Sequence, residues 1–403
     1  MIKSSSSLDL ELGIEYYSRP ELYIGSDAYL EISPETFRVY EEIYGLGVAK
    51  PVDTQQLKVL CSPNERILAI MCKIGISTLE AAWAMRYLGI ALEYWGLKDS
   101  EAEACQFVIL KCLRSVELPL SVARRIQIYP LRSVSREFVA RRYHISGNLF
   151  EVILSHRLQD PAHLLEIVQS STNYSLLNYF GYQRFGSVRP ITHLVGRAIA
   201  TRDWEEALKV LLGHYSELEL PRVQLARKLF NEGRYRESLR VFPRAFVIEK
   251  SVLRKYIETR SPRDAITKGL PKSMVKFFVE AYQSYLFNKA LSQLVSAVGS
   301  VEDVERVCEV IELPRPSTST QDCGRFSRNA LLEDLGPAVE KLNKELFTKS
   351  VRETVFRVRA LSVNTSPGSV LRLSFKLGRG SYATIYLREL LRENLSIKSR
   401  VET

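Results

Sequence analysis

Asp99 closes the segment Tyr94-Trp95-Gly96-Leu97-Lys98-Asp99. A carboxylate delivered at the end of a short strand could serve as a nucleophile toward a sugar carbon or as a general base. It could as readily be a turn or cap residue, where Asp is also favoured. Elsewhere the chain sets several Phe and Tyr beside Asn or Arg, among them the aromatics at 179, 180 and 185. Such aromatics are most often core or packing residues. Other chemistries lack their marks. Gly45-Leu46-Gly47-Val48-Ala49-Lys50 has the wrong spacing for a P-loop, and Gly378-Arg379-Gly380 is a lone glycine turn. No GxGxxG, HExxH or GxSxG occurs. The six cysteines hold no CxxC pair and the five histidines are scattered, so no metal and no cofactor is expected. The cysteines read as reduced, mostly buried thiols of a cytoplasmic protein.

The formal net charge is +10, but its distribution matters more than its sum. Residues 114–143 hold seven Arg against two acids, 243–272 hold eight Lys/Arg against three, and 351–400 hold ten against three. The first 42 residues carry nine acids against Lys3, Arg19 and Arg38. Localised positive charge fits a phosphate backbone, although a single such window is as often a solvated helix face. A composition of 46% hydrophobic and 25% charged residues is that of a globular protein. The apolar run 67–76 is broken by Lys73 and is too short to span a bilayer, so no membrane role is expected.

These residues need elements to hold them. Residues 28–43 alternate around Pro34 as a strand pair, and 66–72 read as a buried strand. Ser77 or Thr78 caps a helix ending at Gly89, and a short strand then delivers Lys98-Asp99. Residues 104–112, 125–129 and 148–156 read as extended. From 161 to about 296 the apolar spacing becomes mostly helical, with no repeat at a fixed period. Residues 313–327 read as a loop, followed by a helix, the strand Ser369–Leu377, a glycine turn and a terminal helix. The four serines at 4–7 read as a mobile start. A chain that returns to its first style suggests a domain inserted into another.

Six strings go further. PETFRVYEE (34–42), YWGLKD (94–99), SGNLF (146–150), NYFGYQRFG (178–186), AYQSYLFN (281–288) and LSFKLGRGSYATIYLRE (373–389) resemble, in order, the signature segments of the TruD family of tRNA pseudouridine synthases. The resemblance spans roughly residues 30 to 393 and looks archaeal in type. It implies an α+β, V-shaped protein. A discontinuous pseudouridine synthase catalytic domain with a mainly antiparallel sheet would occupy 1–171 and 346–403. A largely helical, family-specific domain would be inserted at 172–345. It further implies that a flipped-out uridine, at position 13 of the D-arm or position 35 of the anticodon, is isomerised with Asp99 as the catalytic group. Phe37 and Phe150 would contact the base or pack the site, and Asn148 would hold the carboxylate or a uracil edge. Phe375 matches the aromatic before the final glycine turn. The implied partner is tRNA, with no obligatory protein partner.

The family usually has a cation six residues before the first of these phenylalanines and another just after the catalytic Asp. Here those places hold Glu31, and Ser100 with Glu101. Lys98, Arg184 or Arg379 would have to substitute. The competing readings are a non-catalytic RNA-binding or chaperone protein on the same fold, and a helical interaction module centred on 200–260.

Overall fold

The computed structural model describes residues 1–52, 58–98, 101–135, 138, 145–186, 188–366 and 369–397. The chain divides into two compact units. Among the described residues, one comprises 1–20 and 175–355, and the other comprises 21–174 and 356–397.

The second unit is built on a twelve-stranded, mainly antiparallel sheet. Its working elements are β1 (Phe37–Ile43), β2 (Arg66–Ile74), α1 (Thr78–Tyr87), β3 (Ile90–Tyr94), β4 (Glu103–Cys112), β5 (Ile126–Ser133), β6 (Ile145–His156), β7 (Arg359–Ser366), β8 (Val370–Gly378) and α2 (Ala383–Leu391). The strand order along the main path is β5-β2-β4-β1-β6-β8-β7, with the short strand Leu120–Val122 outside β5. β1 pairs with β4 in parallel, and the strand Ala28–Ile32 pairs in parallel with Leu395–Ile397. Elsewhere the pairing is antiparallel. The alternation in 28–43 forms two strands joined by a turn in which Thr36 Oγ1 donates to the Glu31 carbonyl. α1 starts on a capping box: Glu80 N–H donates to Ser77 Oγ while Ser77 N–H donates to the Glu80 carboxylate. Gly89 follows that helix at a φ of 78°, a left-handed conformation that favours glycine.

The helical unit gathers around one 27-residue helix, Lys272–Val298. Thr192–Ala200 packs so close to it that a Cβ at Gly196 would sit 1.9 Å from the Phe278 carbonyl oxygen. Side chains there could not be accommodated without separating the helices. Among the described residues, no helix is long and apolar enough to cross a membrane.

Two expectations are corrected. The serine run is ordered: Ser6 caps the helix Ser7–Glu11, and Ser4 Oγ donates to Asp9 at 2.6 Å. Residues 1–20 pack within the helical unit, where Asn288 Nδ2 and Ser292 Oγ donate to the carbonyls of Leu12 and Gly13. The cysteines are not free thiols. Cys61–Cys112, Cys72–Cys105 and Cys308–Cys323 are disulfide-bonded. The physical reason is register: Cys72 and Cys105 face each other directly across β2 and β4, at a Cα separation of 4.0 Å.

Candidate active site

The site forms where β4 changes partners. One edge of β4 is paired with β2 along its whole length. On the other edge, Glu103–Cys105 pair with β1, and Val108–Cys112 pair with β3. Gln106 and Phe107 fall in the gap. Buried backbone donors need partners, and here one is supplied from a side chain. Glu41, at an inward position of β1, accepts the Phe107 N–H on Oε2 at 3.2 Å. Its Oε1 accepts from Lys98 Nζ at 2.9 Å. The Glu41 side chain is fully buried and that of Lys98 only 9% exposed. A buried pair of this kind survives only when its remaining atoms are also bonded.

The segment before Asp99 is therefore gripped from several sides. Gln106 Nε2 donates to the Gly96 carbonyl at 3.0 Å, and its Oε1 accepts from Thr78 Oγ1 at 2.7 Å. Thr78, the first residue of α1, accepts the Lys98 N–H on Oγ1 at 2.8 Å. Its own N–H donates to the Lys98 carbonyl at 3.2 Å. The backbone N–H and carbonyl of Lys98 are thus both bonded to Thr78. Asp99 itself lies outside the described residues.

Asn148 stands opposite Glu41 across β6 and β1, and the pleat puts both side chains on one face. Its Oδ1 is buried and has no hydrogen-bond partner among the described residues. That is a costly state for an amide oxygen unless something else comes to fill it. Phe150 lies two residues on and shares the same face. Its ring stacks on Phe375 at 5.3 Å and meets Phe37 at 5.9 Å; Phe375 in turn meets Tyr386 of α2 edge-on at 4.9 Å. Burial pushes the Tyr386 hydroxyl well above its usual range, and Ser171 Oγ lies 2.8 Å from it.

The six sequence candidates that are described fall into three groups. Lys98 and Asn148 come together with Glu41, Thr78 and Gln106. Phe37, Phe150 and Phe375 are 1%, 5% and 0% exposed, so they form a packed floor and leave no open ring face for a base. Arg184 belongs to the helical unit, where Nε donates to Ser284 Oγ at 3.1 Å, Glu280 lies 3.5 Å away and the Phe277 ring lies below. Of the possible replacement cations, Lys98 is committed to Glu41, and Arg379 sits exposed at the turn after β8. Glu31 is exposed on its strand and Glu101 is half-buried. Glu41, Thr78 and Gln106 are not singled out by sequence. The one available signal was an acid at an inward place in the alternation Phe37, Val39, Glu41, Ile43.

Two of the signature strings, 178–186 and 281–288, meet in the helical unit. Asn288 accepts the Phe180 N–H at 2.8 Å and donates to its carbonyl at 3.1 Å. Arg352 lies over the Phe180 ring at 3.9 Å and donates to the Asn178 carbonyl at 2.9 Å. These residues build that unit's architecture.

Comparison with known proteins identifies the family. The family model for tRNA pseudouridine synthase D (TruD) matches residues 11–328. A probable tRNA pseudouridine synthase D of Saccharolobus solfataricus is 31% identical over 395 residues, covering 96% of this chain and 97% of the relative. One of Methanopyrus kandleri is 33% identical over 324 residues, covering 76% and 78%. The crystal structure of a putative tRNA pseudouridine synthase D from Methanosarcina mazei superposes with a TM-score of 0.60 at 21% identity, over 95% of this chain and 97% of that one, and so shares the fold. An α+β isomerase of tRNA processing is the class these findings define. The chain belongs to the tRNA pseudouridine synthase D (TruD) family.

Proposed function

We propose that this chain converts a flipped-out uridine of tRNA, at position 13 of the D-arm, to pseudouridine, with Asp99 as its catalytic group. The unit 21–174 with 356–397 is the catalytic domain in this reading, and the helical unit is the family's inserted domain. The observation that carries it is the double grip of Thr78 on the Lys98 peptide, braced by the buried Glu41–Lys98 pair. A fold spends that many buried polar contacts on one short segment when the next residue must be aimed.

The uridine must leave its stack for its glycosidic bond to be reached. The Asp99 carboxylate serves each of three routes: attack on C1′ of the ribose, attack on the uracil ring, or removal of a proton from C2′. In each, the bond between N1 and C1′ breaks, the uracil turns within the site, a bond between C5 and C1′ forms, and any bond to the carboxylate is released. C5 then loses its proton, N1 takes one up, and C2′ regains its proton where it gave one up, so the product has the substrate's composition. Asn148 Oδ1 is a ready acceptor for the N3–H of uracil, which supports its role in holding the base edge. The phenylalanine stack beneath keeps that edge from sinking into the core.

The test is carbodiimide mapping of pseudouridine on bulk tRNA. Asp99→Asn is expected to lose activity by roughly 10³-fold or more while tRNA still binds. An unchanged rate in that variant would remove Asp99 from the mechanism. Product at position 35 alone would correct the target, and no product from wild-type protein would leave an RNA-binding role on this fold.

A further inference from the structure

The basic window at 243–272 is not used by the reaction just described, and the structure resolves part of it into a cluster. Arg222 Nε donates to the Val241 carbonyl at 2.9 Å and Lys250 Nζ donates to the Phe242 carbonyl at 3.0 Å. Both therefore converge on the end of the helix Tyr235–Val241. Arg254 lies one turn beyond Lys250 on the helix Val247–Thr259, so both project from one face. Arg244 follows two residues after Phe242. The charge of Lys250 is felt by the other three: burial first, then Arg254, Arg222 and Arg244, lower its pKa.

What sets this group apart is convergence without compensation. Several cations of the same unit are paired, Arg227 with Glu219, Arg234 with Glu237, Arg197 with Asp334 and Arg315 with Glu312. Others, such as Arg202 and Arg263, have no carboxylate within ion-pair distance among the described residues, but the four here gather at one helix end and act on one another. Among the described residues, none of Arg222, Arg244, Lys250 and Arg254 has a carboxylate within ion-pair distance. Helix capping accounts for Arg222 and Lys250, since cations are favourable at a helix C-terminus. It does not account for Arg244 and Arg254, which make no such bond and add repulsion to a site that already carries two charges. Unpaired like charges at one place are unfavourable in the free protein and become favourable when a polyanion neutralises them.

We propose that Arg222, Arg244, Lys250 and Arg254 form a phosphate-backbone contact for the tRNA substrate, separate from the residues that handle the reacting uridine. This rests on the tRNA-modifying function proposed above. It assigns the inserted unit a grip that reads charge and not base sequence. Of the anionic partners available, RNA is favoured over a lipid surface because the function proposed above already brings a polyanionic tRNA to this protein. Leu225 and Val247 are exposed on the helices that carry Arg222 and Lys250, so the experiment includes a lipid arm.

The experiment compares the full-length wild-type protein with Arg244→Glu/Arg254→Glu and Arg244→Lys/Arg254→Lys, titrating tRNA over a range of salt. The charge reversal is expected to weaken binding by about tenfold or more near physiological salt and to lower the slope of log affinity against log salt by about two. It should raise KM for tRNA while kcat at saturation persists. The lysine variant should keep the wild-type slope, since a phosphate contact needs charge above geometry. An unchanged slope in the reversal variant overturns the proposal. So does an equal loss in the lysine variant, which would indicate a structural role. Loss of binding to vesicles of anionic lipid, with tRNA affinity intact, would overturn it in favour of a membrane. Asp99→Asn behaves oppositely, losing kcat and keeping the salt slope, so the two ideas fail in different measurements.

Discussion

In the helical unit, Arg189 and Arg227 share the carboxylates of Glu219 and Glu249 at 2.8–3.5 Å. The same guanidiniums donate to the carbonyls of Val210, Leu211 and His214 at the end of the helix Trp204–Gly213. Burial, then the neighbouring Arg227, lower the Arg189 pKa to about 10, against the two carboxylates that raise it. In the sheet unit, Glu41 and Lys98 are likewise buried and bonded, but the face they occupy ends on an Asn148 oxygen with nothing to accept among the described residues. The first network is closed and its work is structural. The second is left open by one acceptor, on the face where the chain enters Asp99. Buried charge alone does not mark a catalytic centre; an unfilled valence beside it is the more telling sign.

Breaking the closed network should give the largest effect on stability. Arg227→Met leaves two buried carboxylates short of a partner and is expected to cost about 3–5 kcal/mol in denaturant unfolding. Turnover per folded molecule should be unchanged. Glu41→Gln should cost about 3 kcal/mol by stranding Lys98, and should lower kcat as well. The double variant Glu41→Gln/Lys98→Met sharpens the contrast: stability should recover while kcat does not. Recovery of both would make that pair as purely structural as its counterpart.

His193 tests the helical unit by pH. Burial first, opposed by Asp334, lowers its pKa from 6.5 to about 4, and it sits between the Phe185 and Tyr285 rings. The unfolded chain therefore binds the extra proton more readily. Stability should be full above about pH 6.5 and fall by up to a few kcal/mol as pH drops toward 4. Thermal melts of His193→Phe should lack that part of the acid slope. The smallest effect is expected at the open acceptor. Asn148→Leu should leave stability level or slightly raised, because it removes an unsatisfied atom. It should lower kcat/KM by about ten- to a hundredfold; an unaltered kcat/KM would take Asn148 out of uracil binding.

Much of the fold was legible because its signals are local. The alternation Phe37, Val39 and the cap at Ser77 each need only a few neighbouring residues, and both stand as read. The helix after the 313–327 loop begins at Gly324, so the last four residues of the expected loop are helical. The site was legible only along the chain. Lys98 was a candidate from its string, but its partner Glu41 is 57 residues away and is brought there by the switch of β4 between β1 and β3. The three phenylalanines were found from their strings, yet only burial distinguishes a floor from a platform. Cys72 and Cys105 failed for the same reason as Glu41: no CxxC spacing hints at a bond set by strand register. Ser4 to Ser7 looked mobile by composition and were tied by Asp9 and the cap at Ser6.

Those cysteines carry one last implication. Cys72–Cys105 closes a ring that contains α1, β3 and the whole approach to Asp99, and Cys61–Cys112 closes a second ring around the first. The segment that leads to Asp99 thus lies inside two concentric covalent hoops. A single backbone cut in that segment leaves one molecule of undivided mass until a reductant is added. The polypeptide there is a loop in the topological sense, and damage to it does not by itself release an end.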